Sequence, residues 1–185
     1  GLGRASAESL AKEGVSLMLC ARNQATLEQT AQEIHAAYGN EVRTYAADLE
    51  LPDSITGLVA ATIQHYGTID ILISNIGGPP PGSADDLDEV ALQIGIDRTY
   101  LFFIRMARAV LPIMKAQNQG RIISILSFSI KEVIDNLVLS TSARMGAAGF
   151  LKGLSRDVAG TGVTVNNVLP GTILTDRQFE LARVQ

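Results

Sequence analysis

Short apolar segments of strand length alternate along the chain with longer segments of helical period, and this alternation limits the fold more than any other feature. The strand-like segments are rich in apolar residues or alternate with period two, and they cover residues 15–21, 41–47, 69–75, 120–127 and 162–169. The helical segments cover residues 6–13, 25–38, 52–66, 87–116 (with a break near residue 95) and 139–159. Parallel strands joined by right-handed helical crossovers give a doubly wound sheet, so we expect a Rossmann-like, three-layer α/β/α fold.

The same pattern predicts one domain over residues 1–185, because no linker, repeat or low-complexity segment interrupts it. The chain opens on Gly1 within an expected turn, and residues 177–185 read as a helix cut short. We therefore expect the numbered chain to lack a first strand and a C-terminal part.

Composition excludes several classes of protein. The chain has 46% hydrophobic and 18% charged residues and a net charge of −4, with no basic block that would indicate a nucleic-acid surface. Cys20 is the single cysteine, so an internal disulfide is excluded and a cytoplasmic location is expected. No apolar run approaches the roughly 18–20 residues that span a bilayer, and no signal-peptide pattern is present. His35 and His65 lie on separate helical segments, so we expect no metal site.

Ligands of doubly wound sheets bind beyond the carboxyl ends of the strands, which selects the residues where a site is expected. Gly1-Leu2-Gly3 precedes the first helix, where glycines let the backbone approach a pyrophosphate, although two such glycines also make an ordinary turn. Arg22 follows the next strand, where an arginine suits the 2′-phosphate of NADP; the alternative is a solvated side chain at a helix start.

Polar residues follow two further strands. Asp48 could contact an adenine base or could cap a turn, and the second role is the commoner one for aspartate. The sequence Asn75-Ile76-Gly77-Gly78 could hold backbone groups beside a flat ligand or could be only a turn. Pro79 begins a run of three prolines, which favours a stiff surface loop.

Taken in order, these pieces resemble the short-chain dehydrogenase/reductase family, and most closely its 3-oxoacyl-carrier-protein reductases. The resemblance covers nearly the whole chain through GLGR, CARN, ADL, SNIGG, VLPIMK, GRIISILS and VTVNNVLPGTILTD. It implies a single NAD(P)-binding domain, hydride transfer between NAD(P)H and a carbonyl or alcohol, a small-molecule substrate, and a homodimer or homotetramer formed through the two longest helices.

NADP(H) is expected to be preferred over NAD(H) because Arg22 stands where an acid would favour NAD. The implied cofactor-binding residues lie at strand ends or on the following helices: Gly1, Leu2, Gly3, Arg22, Asn23, Asp48, Leu49, Asn75, Ile76, Gly77, Arg144, Pro170, Gly171, Ile173 (through its backbone) and Thr175 (on the carboxamide).

The family's catalytic pattern is met at one position of four. Ser127 falls on the serine that holds the substrate oxygen, thirteen residues before Ser140. Ser140 stands where the family has its proton-donating tyrosine, and Arg144 stands where it has the lysine of the YxxxK spacing. Thr99 stands where an asparagine of the proton relay is expected.

These departures leave two functions open. A serine hydroxyl is a far weaker acid than a phenol, whose pKa is about 10, and it is too short to reach the same place. Arg144 keeps a permanent cation but cannot give up a proton. The first hypothesis is an NADP(H)-preferring oxidoreductase in which Ser127 orients the oxygen and the proton comes from solvent, Ser140 or substrate, with Asp135 as a less favoured source. The second is a catalytically impaired dinucleotide-binding relative with a binding or structural role.

Overall fold

The computed structural model describes residues 1–174 of the chain, and these residues form two compact units with a boundary after residue 68. Each unit contains a parallel sheet with helices.

The first unit (residues 1–68) contains a two-stranded sheet. Its elements, in chain order, are α1 (Leu2–Lys12), β1 (Leu17–Ala21), α2 (Gln24–Tyr38), β2 (Val42–Ala46) and α3 (Pro52–Tyr66). The strands β1 and β2 pair in parallel, with Leu17 beside Val42 and Ala21 beside Ala46. Gly39 and Gly67 end α2 and α3 with φ values of 75° and 72°, a left-handed conformation that glycine adopts without steric cost.

A compact apolar core joins the first helix, the second helix and the strands of this unit. Its buried members come from α1, β1 and α2, and the half-buried residues around them belong to the same elements, to the turn before β1 and to β2: Ala7, Ala11, Leu17, Ile34, Leu10, Val15, Leu19 and Val42. The carboxyl ends of β1 and β2 lie at one edge of the sheet because the strands are parallel and in register.

The second unit (residues 69–185, described to residue 174) contains a three-stranded parallel sheet in the order β3-β4-β5. Its elements are β3 (Ile71–Ser74), α4 (Glu89–Gly95), α5 (Phe102–Ala116), β4 (Gly120–Ile125), α6 (Val138–Asp157) and β5 (Val163–Val168). In the middle of the sheet Leu72 pairs with Ile122, and Ile122 pairs with Val165. Buried residues of α5 and α6, such as Phe103 and Ala147, cover one face of this sheet.

The expected strands and helices are confirmed, with ends that differ by a few residues. The first helix was expected at residues 6–13 but begins at Leu2, so Leu2 and Gly3 belong to its first turn rather than to a loop before it. The break expected near residue 95 is present as a π-helical segment, Ile96–Leu101, between α4 and α5. In the described part of the chain, none of the helices is both long and apolar enough to cross a membrane, and residues 1–174 hold no cluster of three metal-ligating side chains.

Candidate functional site

Two residues of the first unit that are expected to bind the pyrophosphate and the 2′-phosphate are Gly1, before α1, and Arg22, after β1. Gly1 is the N-cap of α1 and offers no side-chain oxygen to the first-turn N–H groups, which leaves these donors for another acceptor. Arg22 is exposed directly after β1. This arrangement fits a phosphate group in physical terms.

The remaining predicted residues of this unit have local structural roles. The Oδ1 atom of Asn23 accepts a hydrogen bond of 2.9 Å from the backbone N–H of Thr26 and so caps α2. The Oδ1 atom of Asp48 accepts one of 3.0 Å from the N–H of Glu50, which forms a turn after β2. Leu49 is half-buried within that turn. Cofactor contacts by Asn23, Asp48 and Leu49 stay predictions.

In the second unit, the turn after β3 presents an exposed surface followed by a buried one. Asn75 and Gly77 are exposed, whereas Ile76 is half-buried and Pro79 is fully buried. The backbone N–H of Gly82 donates to the carbonyl of Asn136 in the loop before α6. The backbone of Gly82 therefore holds the C-terminal side of the proline run against the loop before α6.

Ser127 lies two residues after the end of β4, where the sequence places an oxygen-holding hydroxyl. It is half-buried, and its Oγ atom accepts a hydrogen bond of 3.1 Å from the backbone N–H of Ser129. A hydroxyl that accepts one bond keeps its own proton to donate, so Ser127 can still hold an oxygen atom of a ligand.

The segment after β5 lies beside Ser127. The backbone N–H of Phe128 donates to the carbonyl of Pro170 at 3.0 Å, which extends the β4–β5 pairing past the strand ends. Gly171 and Ile173 are exposed. Thr175 lies outside the described residues, so its predicted contact with a carboxamide has no structural counterpart here.

Ser140 and Arg144 lie one helical turn apart on α6, and both are buried. Arg144 is 6% exposed, and its Nη1 atom donates to the carbonyls of Ile125 and Leu126 at 3.3 and 3.0 Å. Its Nη2 atom donates to the carbonyl of Ile76 at 3.3 Å, and its Nε atom donates to the Oγ of Ser140 at 3.3 Å. The guanidinium group thus joins the end of β3 to the end of β4.

Thr99 lies in the π-helical segment and is fully buried. Within residues 1–174 its Oγ1 atom has no hydrogen-bond partner. π-Helical turns are rare in proteins overall, but those that occur lie frequently at functional sites. A proton-relay role for Thr99 stays a prediction.

The contact of Gly78 with α6 was not expected, although the sequence placed this glycine in the turn after β3. A Cβ atom on Gly78 would lie 3.3 Å from the Oγ of Ser140 and 3.8 Å from the Nη2 of Arg144. The only signal in the sequence is the glycine pair that follows β3, and nothing local shows which helix the second glycine faces.

The comparison with known families decides the membership of the chain. The family model described as short chain dehydrogenase matches residues 1–184. The chain belongs to the short-chain dehydrogenase family. Members of this family are oxidoreductases that bind NAD(H) or NADP(H) on a Rossmann-like α/β fold, and the parallel sheets and strand-end residues described above agree with that fold.

Two curated relatives illustrate the kind of reductase that the chain is similar to. It is 36% identical over 178 residues to a protein of Streptomyces violaceoruber assigned as ketoacyl reductase 1 of the granaticin polyketide synthase, covering 95% of this chain and 65% of that protein. It is 33% identical over 178 residues to the 3-oxoacyl-[acyl-carrier-protein] reductase FabG of Vibrio cholerae, covering 95% of this chain and 70% of that protein. The chain thus spans about two thirds of the length of these relatives.

Solved structures of reductases show the same fold. An actinorhodin polyketide ketoreductase variant with NADPH matches with a TM-score of 0.94 at 30% identity, over 100% of this chain and 71% of that chain. The L-sorbose reductase of Gluconobacter frateurii, complexed with NADPH and L-sorbose, matches with a TM-score of 0.91 at 26% identity, over 99% and 69% of the two chains. The fold class expected from the sequence is confirmed.

Proposed function

We propose that this family member is an NADP(H)-preferring reductase that transfers hydride to the carbonyl group of a 3-oxoacyl thioester or a similar ketone. The observation that carries the proposal is the position of Ser127 just beyond β4, with its hydroxyl proton free to be donated and the Pro170 segment hydrogen-bonded beside it. The names of the ketoacyl and 3-oxoacyl reductase relatives support the substrate class.

The bound nicotinamide would supply the hydride, and residues of this chain would bind and orient the reactants. The first turn of α1 would receive the pyrophosphate on its free N–H groups, and Arg22 would pair with the 2′-phosphate. Ser127 would donate its hydroxyl proton in a hydrogen bond to the substrate oxygen, where negative charge develops as hydride arrives.

The proton that completes the reduction needs a source other than a tyrosine on α6. Ser140 is buried and accepts a hydrogen bond from Arg144, so water at the half-buried Ser127 is the proton source that we propose. Asp135 is exposed in the loop before α6 and could relay such a proton, as an alternative.

Exposed apolar side chains in the loop that follows Ser127 support a substrate with a hydrophobic chain. Phe128 follows Ser127 directly, and Val133 and Ile134 are exposed in the same loop. Exposed apolar groups beside a polar anchor suit an acyl chain that continues from a reacting carbonyl.

The departures at Ser140, Arg144 and Thr99 are the reason to consider the alternative of a catalytically impaired dinucleotide-binding relative. The comparisons favour the oxidoreductase, because the similar proteins are named as reductases and oxidoreductases.

A binding and turnover experiment on the full-length protein separates the two functions. NADPH and NADH are titrated by cofactor fluorescence, and NADPH oxidation is then followed with a series of 3-oxoacyl thioesters and simple ketones. We expect tighter binding of NADPH than of NADH and turnover of at least one thioester. Tight NADPH binding with no turnover of any substrate would support the impaired relative, and failure to bind either nucleotide would contradict both functions.

The same family resemblance supports a homodimer or homotetramer. Val90 and Ile94 on α4 and Met145 on α6 are exposed apolar residues, with Val90 66% exposed. We propose that these helices pack against a second copy, which light scattering during size-exclusion chromatography tests; a Val90→Glu variant should shift the assembly towards the monomer.

The cytoplasmic location expected from the single cysteine stays a prediction that cell fractionation can test.

A further inference from the structure

We infer that Arg144 is a positioning residue that, together with Ser140, fixes the turn after β3 in register with the segment that carries Ser127. The inference rests on the proposed function only in taking this turn to face the cofactor. The guanidinium group of Arg144 and all the residues that it holds belong to the second unit.

The contacts of Arg144 continue the β3–β4 ladder beyond its last pair. The two strands pair in register up to Ser74 beside Ser124. Two residues further along each strand are Ile76 and Leu126, and the carbonyls of both accept hydrogen bonds from Arg144. The side chain therefore joins the next in-register pair, where the backbones have separated and can no longer bond to each other.

An arginine suits this place better than a lysine. The planar guanidinium carries five N–H donors in a fixed fork, whereas a lysine ammonium is a compact group with three. Here the fork reaches carbonyls on two strand ends and the hydroxyl of Ser140 at once. Its central carbon lies 6.0 Å from the centroid of the buried Phe103 ring, which supports the group from below.

Ser140 and the turn also fit each other closely. The Cβ position of Gly78 is 3.3 Å from the Ser140 hydroxyl, so there is little room for a side chain on either partner to grow. Pro79 is fully buried directly after this contact. The turn thus occupies the space above Ser140, and the small serine and the glycine both serve that packing.

Through these contacts Arg144 fixes the position of Ser127 relative to the turn after β3. Ser127 directly follows Leu126, whose carbonyl Arg144 holds, and Asn75 and Gly77 flank Ile76, whose carbonyl the same group holds. One side chain therefore sets the separation between the hydroxyl of Ser127 and the exposed peptides of the turn. Arg144 acts through these backbones and does not need to touch the cofactor to affect its binding.

Amide hydrogen exchange on the cofactor-free protein tests the positional claim without any assumption about activity. We expect Arg144→Met and Arg144→Lys each to raise exchange at residues 76–78 and 126–129 by about tenfold or more, because the lost bonds are to a charged donor. Arg156→Met, at an exposed arginine in the last turn of α6, should leave both segments unchanged. Unchanged exchange in Arg144→Met would overturn the inference.

NADPH titration of the same variants separates a positioning role from a direct clamp. Both Arg144 variants should weaken NADPH binding to a similar extent, because Arg144→Lys keeps the charge but loses the fork. If Arg144→Lys binds NADPH within about twofold of the unsubstituted protein while Arg144→Met does not, the charge itself is what matters and the positioning role is wrong.

Gly78→Ala covers the case in which the Arg144 variants fail to fold. This variant keeps Arg144 and forces a methyl group against Ser140, so we expect faster exchange at residues 76–78. Gly149→Ala, whose added Cβ meets nothing within 4 Å, is the matched control on α6. Equal exchange in the two alanine variants would contradict the close fit of the turn on Ser140.

Discussion

The backbone N–H of Gly82 donates a 2.7 Å hydrogen bond to the carbonyl of Asn136, and this bond joins the loop after β3 to the loop before α6. Gly82 also forms an isolated parallel bridge with Leu137. The bond depends on an unusual backbone conformation, because Asn136 has a φ of 59°. Asparagine tolerates this left-handed region better than most residues, and β-branched residues do not.

Replacing Asn136 with valine should therefore destabilise the protein by about 1–2 kcal/mol and speed amide exchange at Gly82. Asn136→Gly should be close to neutral. Asn118, with a φ of 54° in the turn before β4, provides the control: Asn118→Val should cost similar stability in urea denaturation but leave exchange at Gly82 unchanged. Fast exchange of the Gly82 amide in the unsubstituted protein would show that its hydrogen bond to Asn136 is not formed.

The Cys20 thiol should be unreactive at neutral pH. Burial in β1 raises the pKa of Cys20 to about 11 from its usual value of 9.0, with a smaller upward effect from the Asp48 carboxylate and an opposing backbone contact at Ala47. The thiolate fraction at pH 8 is then about 100-fold lower in the folded chain than in the unfolded one. Labelling by a chromogenic disulfide should be slow in buffer and fast in denaturant.

The raised pKa of Cys20 also makes the stability of the protein depend on pH in the alkaline range. The folded state binds the thiol proton more tightly than the unfolded state. The contribution of Cys20 to the free energy of unfolding is therefore fully present below about pH 9 and is lost as the pH rises through about 11. A Cys20→Ala variant should lack this part of the alkaline loss. Equal labelling rates with and without denaturant would contradict the assignment.

The helices, the strands and the residues that follow each strand could be predicted from the sequence. The spacing of apolar residues and the glycines that end helices are local signals, so they can be read without the tertiary structure. Ser127 and Arg22 lie after β4 and β1 as expected. Beyond a break near its start, the π-helical segment could not be predicted from the sequence. It differs from an α-helix only in which backbone groups bond to each other, and this difference has no characteristic pattern of residues.

The hydrogen-bond acceptors of Arg144 could not be predicted from the sequence. The four-residue spacing places Ser140 and Arg144 on one face of a helix, and that relation is present. The acceptors of the guanidinium group are carbonyls at residues 76, 125 and 126, and any residue type supplies a carbonyl. Only tertiary structure could identify them.

Gly57 on α3 should resist the usual benefit of replacing a helical glycine by alanine. A Cβ atom there would lie 3.2 Å from Cζ of Tyr45 and closer still to its hydroxyl oxygen. Gly57→Ala should thus destabilise the protein by about 1–3 kcal/mol, although an unhindered helical site such as Gly149 should gain up to about 1 kcal/mol. Combining Gly57→Ala with Tyr45→Phe should recover much of the loss. Additive effects in the double variant would rule out the contact as the cause.

Arg22→Asp tests the cofactor preference. If Arg22 pairs with the 2′-phosphate, the variant should weaken NADPH binding about 10–100-fold, the range for a hydrogen-bonded charged partner, and NADH binding by less than about threefold. Lys152→Asp, at an exposed lysine on α6 of the second unit, makes the same change in net charge and should alter neither dissociation constant. Equal losses for the two nucleotides would show that Arg22 does not read the 2′-phosphate.

Ser127→Ala tests the residue on which the proposed chemistry depends. Loss of a hydrogen-bond donor to a developing oxyanion typically lowers kcat about 10²–10³-fold, and because this loss acts on the transition state, NADPH affinity should stay within about twofold. The substitution also removes the acceptor for the Ser129 N–H, so a structural explanation has to be excluded. Ser127→Thr keeps a hydroxyl that can both donate and accept, so this variant should keep most of the kcat that Ser127→Ala loses. If Ser127→Ala turns over at the rate of the unsubstituted protein, the substrate oxygen is held elsewhere, and Ser127 only caps the turn that follows β4.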